Sequence, residues 1–316
     1  MILYRPITRH TKIHAIERKY KDNFGFAPNL SYPKRFSEKI QWLKLNYRTK
    51  EITRGADKVA VRDMVAARVN EDILIPIIGI YKKAEDIDWD SLPEKFVAKI
   101  NNGCGLNIIC TDKAELDKNE TLSKLDKWLR PIHNNYWKNY EGNYKKIKPR
   151  IIIEEYVGGD RGEIYEYKFM YLSGKLAFIQ VPQDRDKDDQ FNVKIGYYDE
   201  KWNEIPISRV GHALPDVSPR KPQRLDEMVE AARKLSRGFP VCRVDFYEVG
   251  GEIKFGELTF TPSNGVAKYR PDMWDERLGS LVKLPRKNVH TLIEWRPFEV
   301  HSLRQLLQKI SSRISI

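Results

Sequence analysis

Residues 243–265, RVDFYEVGGEIKFGELTFTPSNG, constrain this chain more than any other stretch. Apolar and polar residues alternate on both sides of Gly250-Gly251, the pattern of two strands joined by a tight turn. Each strand carries one acid inside an apolar run: Asp245 between Val244 and Phe246, and Glu257 between Gly256 and Leu258. Such a hairpin brings both carboxylates to one end of a sheet. Buried carboxylates are costly unless paired or bound to a metal. Two oxygen ligands facing one site suit Mg²⁺, which takes one or two carboxylates and leaves the rest of its shell to phosphates and water. The alternative is a pair of solvated acids on a surface hairpin.

A chain of 316 residues is long enough for two domains or one multi-lobed domain with a sizeable core. No apolar run reaches the length of a membrane span, and the opening MILYRPITRHTK does not read as a secretory signal. Cys104, Cys110 and Cys242 have no metal-ligand spacing, and an odd count argues against a disulfide framework. The expected location is therefore cytoplasmic. A formal charge of +12 favours an anionic partner. No finger, RRM or zipper signature points to nucleic acid, and the cluster Lys145, Lys146, Lys148 and Arg150 reads as a solvated loop.

Periodicity predicts helices over 36–47, 56–69, 120–138, 223–238 and 301–315. Strands are expected near 74–81, 96–101, 106–110, 150–157, 164–172 and 175–182. The order lacks strict βαβ alternation, which favours an α+β architecture with largely antiparallel sheets over a doubly wound parallel one.

A charged residue inside an apolar strand needs an explanation, and Lys99 in FVAKIN is one. Asn101-Asn102-Gly103-Cys104-Gly105 follows it. Glycines let backbone N–H groups approach phosphate closely, and a nearby ammonium adds charge; the Walker spacing is absent. Alone, this segment reads as an ordinary hairpin whose lysine reaches solvent. Glu154 and Glu155 end the apolar strand 150–157, where backbone groups are free to bond a base edge; edge charge that blocks aggregation is the alternative. Glu166-Tyr167-Lys168 opens the next strand, placing an acid near a ribose or making a cross-strand ion pair. Arg185, after the 175–182 strand, reads as a phosphate fork or a surface pair. The histidines form no pattern, and no Ser-His-Asp or Cys-His arrangement is visible.

Taken in order, ADKVAVR (56–62), FVAKINNGCG (96–105), IIIEEYV (151–157), EYKFMYLSGK (166–175) and the acidic hairpin resemble the ATP-grasp superfamily. FSEKIQWLKL (36–45), FGELTFTPSNG (255–265) and LGSLVKLP (278–285) are similar to the TupA-like ATP-grasp family, named for a teichuronopeptide biosynthesis protein. The resemblance spans roughly 30–285. It implies an ATP-grasp fold in which two α+β lobes with largely antiparallel sheets grip a nucleotide. By that resemblance Arg62 and Lys99 contact phosphate, with Gly103 and Gly105 in the covering turn. Glu154, Glu155 and Val157 line the base, Glu166 holds the ribose with Lys168 beside it, and Asp245 and Glu257 bind Mg²⁺. Many ATP-grasp ligases carry Asn two residues after the second metal acid; here Thr259 stands there, a weaker ligand, and Asn264 is a substitute to consider.

The implied domains are a mostly helical N-terminal segment (1–70), a small lobe (71–153), a large lobe with the metal hairpin (154–285) and a helical tail (286–316). The implied reaction is an ATP- and Mg²⁺-dependent carboxylate–amine ligation through an acyl phosphate, with Lys99, Arg185 and Arg270 as catalytic candidates. Its partners would be ATP, an acidic acceptor such as a uronic-acid glycan or peptide, and an amine donor such as an amino acid. Peripheral association with a membrane synthesis complex is compatible with this; nucleic acid is not among the expected partners. Glycosyl transfer from a nucleotide sugar, phosphotransfer to a sugar hydroxyl, and a non-catalytic basic module are the competing readings.

Overall fold

The structure, a computed structural model, describes residues 2–158, 163–183, 193–291 and 293–300. In chain order the elements are β1 (Ile2–Thr8), α1 (Arg9–Phe24), α2 (Phe36–Asn46), α3 (Lys50–Ala56), α4 (Val61–Arg68), β2 (Ile77–Tyr81), β3 (Phe96–Ile100), β4 (Asn107–Cys110), α5 (Lys118–Leu129), α6 (Asn135–Asn139), β5 (Ile151–Glu155), β6 (Ile164–Leu172), β7 (Lys175–Gln183), β8 (Lys194–Tyr198), β9 (Ser208–Arg209), α7 (Leu225–Ser236), β10 (Val241–Val249), β11 (Glu252–Thr259), β12 (Tyr269–Arg270), α8 (Met273–Leu281) and β13 (Ile293–Glu299). Every strand pair is antiparallel, so the fold is the expected α+β mix. Among the described residues no helix is long and apolar enough to cross a membrane.

The larger sheet has strand order β11-β10-β6-β7-β8. Its acidic hairpin closes through Gly250 and Gly251 at φ 58° and 83°, the left-handed pair that a two-residue turn matching strand twist requires. One face is largely apolar, with Glu248 of β10 buried at its end and accepting from the Gln223 N–H. Phe169, Tyr171, Val244 and Phe246 are buried there against Met228, Ala231, Ala232 and Leu235 of α7. Burying each large side chain contributes about 1.5–3 kcal/mol. The other face is divided. Met170, Leu172 and Val241 pack under α2 and α8 through Phe36, Ile40, Leu43 and Leu278, whereas Glu166, Lys168, Arg243 and Asp245 further along the same strands face a cleft.

The smaller sheet, β2-β5-β3-β4, supplies the cleft's other wall. Phe96, Ala98, Ile100, Ile151 and Ile153 turn into a core closed by Leu125 of α5. Strand alternation then sends Val97, Lys99 and Glu154 to the opposite side.

Some boundaries differ from the sequence reading. The helix expected over 56–69 begins only at Val61, after a separate short helix that ends at Ala56, because Asp57 accepts hydrogen bonds from the Val59 N–H (3.0 Å) and from Asn101 Nδ2 (2.8 Å). The helix expected over 120–138 stops at Leu129, where Pro131 removes a donor and restricts the residue before it. Within the tail expected to be helical, Ile293–Glu299 is instead a strand paired with β1. The 301–315 helix lies outside the described residues.

The β1–β13 ribbon is pinned by Glu294, which is 5% exposed. Its carboxylate accepts from the Tyr136 hydroxyl and pairs with Lys145 (2.9 Å) and Lys12 (3.2 Å). Burial alone would raise its pKa; the Tyr136 hydrogen bond and the two lysines outweigh burial and hold it down to about 2. A depressed carboxylate contributes stability that is complete above its unfolded pKa and lost as pH falls through the folded one. Amide exchange in Ile2–Thr8 and Ile293–Glu299 is therefore expected to accelerate as pH falls from about 4.5 toward 2, after correction for intrinsic rates, and Glu294→Gln should remove that step. A step of equal size in the variant would contradict the assignment.

Candidate active site

Three charged residues form a row across adjacent strands of the larger sheet. Lys168 of β6 stands opposite Asp245 of β10, which stands opposite Glu257 of β11. The register shifts just after Asp245, so Gly256 is the extra residue of a β-bulge. Bulges bend the strand and re-aim side chains beside functional sites. A Cβ on Gly256 would lie 3.0 Å from the Asp245 carbonyl oxygen, so glycine lets the two backbones approach. Arg243, two residues before Asp245 and on the same face, grips both Asp245 oxygens at 2.7 Å and reaches Thr259 Oγ1 at 3.1 Å and Glu257 at 3.4 Å. Lys168 donates to Asp245 at 2.9 Å and to Glu166 at 2.6 Å.

On the smaller sheet Lys99 is ion-paired with Glu154, and Arg62 approaches the same carboxylate at 3.9 Å. The Asp57-Lys58 pair anchors the glycine turn. The Lys58 N–H donates to the Asn101 carbonyl (3.1 Å) and its ammonium donates to the Gly103 carbonyl (2.7 Å). That ammonium also stands 3.5 Å from Glu257, so one lysine ties the turn to the acidic hairpin. Gly105 adopts φ 68°, a left-handed conformation that favours glycine.

These groups enclose a cavity of about 440 Å³. Lys99, Gly103, Gly105, Glu154, Glu155, Val157, Glu166, Lys168, Asp245 and Glu257 all line it. Ile75, Val97, Val157, Ile164 and Tyr247 give it an apolar end. Arg62 and Thr259 touch lining residues from behind. Arg270 is elsewhere: it pairs with β9 and forms an exposed ion pair with Asp272. Arg185 lies outside the described residues. The sequence reading missed Lys58 and Arg243. Both were legible in principle, Arg243 as the same-face neighbour of Asp245 at strand spacing and Lys58 as a charged residue inside the quoted stretch ADKVAVR.

The electrostatics favour the ionised acids. Burial works to raise the Asp245 pKa, but the charges of Arg243 and Lys168 overcome it and hold the carboxyl below its usual range. Glu257 is lowered too, with Lys58 and Arg243 outweighing burial and the nearby Asp245 charge. Burial opposes the Arg243 charge; Asp245 and Glu257 more than compensate and push its pKa up. Among the described residues no three acids, histidines or cysteines gather into a protein-only metal cage. Two ionised carboxylates with a hydroxyl beside them are the donor set of a hard cation that completes its shell with phosphate and water, so the residues present fit Mg²⁺ held jointly with a polyphosphate.

Beyond Thr259 the chain makes a strained turn. Ser263 and Asn264 have φ 49° and 56°, costing about 1–2 kcal/mol each. Helix α2 holds it there: Gln41 Nε2 donates to the carbonyls of Asn264 (2.9 Å) and Gly265 (3.1 Å), and Lys44 Nζ donates to Asn264 Oδ1 (2.5 Å). The amide oxygen considered as a substitute ligand thus has a lysine partner.

Residues 38–283 match the family model described as TupA-like ATPgrasp. Similar solved structures include D-alanine–D-alanine ligase from Bacillus anthracis complexed with ATP, at 18% identity and TM-score 0.38, with 66% of this chain and 55% of that chain covered. L-amino acid ligase from Bacillus licheniformis matches at 14% identity and TM-score 0.46, with 80% of this chain and 55% of that one covered. The ATP-grasp ligase PsnB, complexed with a precursor variant, Mg and ADP, matches at 11% identity and TM-score 0.37, covering 78% and 63%. The chain spans a little over half the length of the first two ligases. No curated protein matches it.

Proposed function

The chain belongs to the TupA-like ATP-grasp family, and from that premise we propose that it is an ATP- and Mg²⁺-dependent carboxylate–amine ligase acting in cell-surface polysaccharide or peptide-polymer synthesis. The observation that carries the reading is the single cleft in which Lys58, Lys99, Lys168 and Arg243 meet Asp245 and Glu257. Four cations converge there on the acidic pair Asp245 and Glu257, with Glu154, Glu155 and Glu166 also on the lining. Among the described residues no serine or cysteine there is paired with a base, and the arrangement suits phosphoryl transfer, where catalysis is positioning and charge stabilisation. The apolar end between Val97, Val157 and Tyr247 would take the base, with Glu166 at the ribose and Lys99 and Lys168 at the phosphates. Asp245 and Glu257 would hold Mg²⁺, which supplies charge neutralisation along the phosphates.

In the proposed reaction an acceptor carboxylate oxygen attacks the γ-phosphorus, the β–γ bridge bond breaks, and ADP leaves. An amine nitrogen then attacks the acyl carbon, phosphate departs, the nitrogen loses its proton, and an amide remains. Arg243 and Lys58, which line the cavity beside Asp245 and Glu257, would offset the negative charge that accumulates on the transferring group. The Gly103–Gly105 turn would cover the nucleotide and exclude water. The excess of positive charge in the chain favours an acidic acceptor such as a uronic-acid glycan, and the amine donor would be an amino acid.

The test is ADP and amide formation measured together, with purified protein, ATP, uronates and amino acids. ADP release that requires both substrates is expected. UDP release from a UDP-sugar without ATP would refute the ligase and favour glycosyl transfer. Lys99→Met should raise KM for ATP by about tenfold or more, since a charge-assisted contact to phosphate is lost, with a smaller change in KM for the acceptor. An unchanged KM for ATP would remove Lys99 from the phosphate contacts.

A further inference from the structure

A second cavity, of about 770 Å³, lies at the other end of the larger sheet. It opens where the Ser173-Gly174 turn between β6 and β7, the C-terminal end of α7 and the chain after α8 converge. Val241, at this end of β10, is four residues from Asp245, on the order of 13 Å along the strand. Arg233, Lys234, Arg237 and Lys283 line the cavity, and no aspartate or glutamate does. The cations come from separate segments and converge on one hollow.

Helix electrostatics explain only part of this. Basic residues in a last helical turn offset the negative end of the dipole, and Glu230 pairs with Arg233 at 2.7 Å and with Lys234 at 3.7 Å. Arg237 lies beyond the helix and Lys283 on another segment. Neither has an acidic partner among the described residues, and Arg68 already caps the helix end, donating to the carbonyls of Leu235 (2.9 Å) and Arg237 (3.1 Å). Arg237 and Lys283 thus present positive charge that the fold itself does not use.

Size narrows the ligand. One phosphate or carboxylate would fill a small part of a cavity in the range that takes whole small molecules. Tyr47, Pro240 and Pro285 supply apolar walls that suit the C–H faces of a sugar ring, and arginine forks match carboxylates. Tyr47 and Pro240 also line a small void beside Lys44 and Thr261, and Thr261 follows directly after the acidic hairpin, so the basic cavity and that hairpin are joined by adjacent stretches of chain.

We propose that this cavity binds an acidic oligosaccharide, a stretch of the acceptor chain several sugars away from the carboxylate that reacts. The identity of that chain as acceptor rests on the ligase reading; the existence of the anion site does not. The test compares binding of oligogalacturonate, monomeric galacturonate, inorganic phosphate and a single-stranded oligonucleotide, by calorimetry without ATP, to the parent protein and to the double variants Arg237→Gln/Lys283→Gln and Arg237→Glu/Lys283→Glu. Oligogalacturonate should bind tightest. The charge-reversed variant should lose at least about tenfold in affinity, the neutral variant less, with melting temperature and binding of a non-hydrolysable ATP analogue unchanged. Equal oligogalacturonate affinity in all three proteins would overturn the proposal, as would tighter binding of phosphate or oligonucleotide. Lost oligogalacturonate binding in a protein that makes no amide would preserve the cavity and sink the ligase. Amide formation with binding indifferent to both variants would do the reverse.

Discussion

Asp245→Asn is expected to reduce ATP turnover by about 10³-fold and to destabilise the protein by about 3–5 kcal/mol. The two effects have separate causes. In the proposed mechanism the first is the loss of charge stabilisation along the transferring phosphoryl group. The second is structural, because Asp245 is 1% exposed and answers both Arg243 and Lys168. A neutral amide removes the carboxylate that Arg243 grips with two nitrogens, leaving Arg243 only the longer Glu257 pair (3.4 Å) and Lys168 only Glu166, and breaking one side of a buried pair is strongly destabilising. Thermal unfolding and steady-state ADP release on the same preparation check both halves. Normal turnover would remove Asp245 from the metal, and an unchanged melting temperature would mean that Arg243 finds another partner.

Glu257→Gln is expected to lose turnover to a similar extent, about 10³-fold, with a stability change of under about 1 kcal/mol. Glu257 faces the same cleft, but its side chain is 30% exposed and its ion pairs are long, 3.5 Å to Lys58 and 3.4 Å to Arg243. Partly solvated pairs of that kind contribute little to folding. The variant therefore isolates function from stability in a way that Asp245→Asn does not. Raising the Mg²⁺ concentration should recover some of its rate if a weakened ligand set is the cause. Full activity at ordinary Mg²⁺ would refute the assignment of Glu257.

How much of this was legible in the sequence depends on the range of the interaction. The acidic hairpin announces itself through strand alternation around Gly250-Gly251, but that turn counted outward sets Asp245 opposite Gly256, and the pairing with Glu257 comes from the bulge, which the alternation does not show. Lys99 stands out because a charge in FVAKI needs a reason, and Glu154 supplies it from the neighbouring strand. The β1–β13 ribbon was not legible, since its strands lie at opposite ends of the described chain and neither carries a turn signal toward the other. The break between α3 and α4 was hidden for a related reason: Asp57 leaves the helix to bond Asn101, far along the chain. Arg270 was chosen for its place after TPSNG, and nothing local to it reveals that it pairs outward with Asp272.

The Gly256 bulge has a consequence for inheritance. Counting outward from Gly250-Gly251 in an even ladder would set Gly256 opposite Asp245 and turn Glu257 and Thr259 into the hydrophobic interior, with Leu258 delivered to the cleft. The one extra residue re-phases the end of β11, so that Glu257 instead stands opposite Asp245. Deleting Gly256 would therefore keep the acids together in a plain ladder, whereas a variant that drew residue 256 into the pairing would invert the hairpin with every side chain still in the gene. Point substitutions around it are filtered by chemistry; changes of register are filtered by parity.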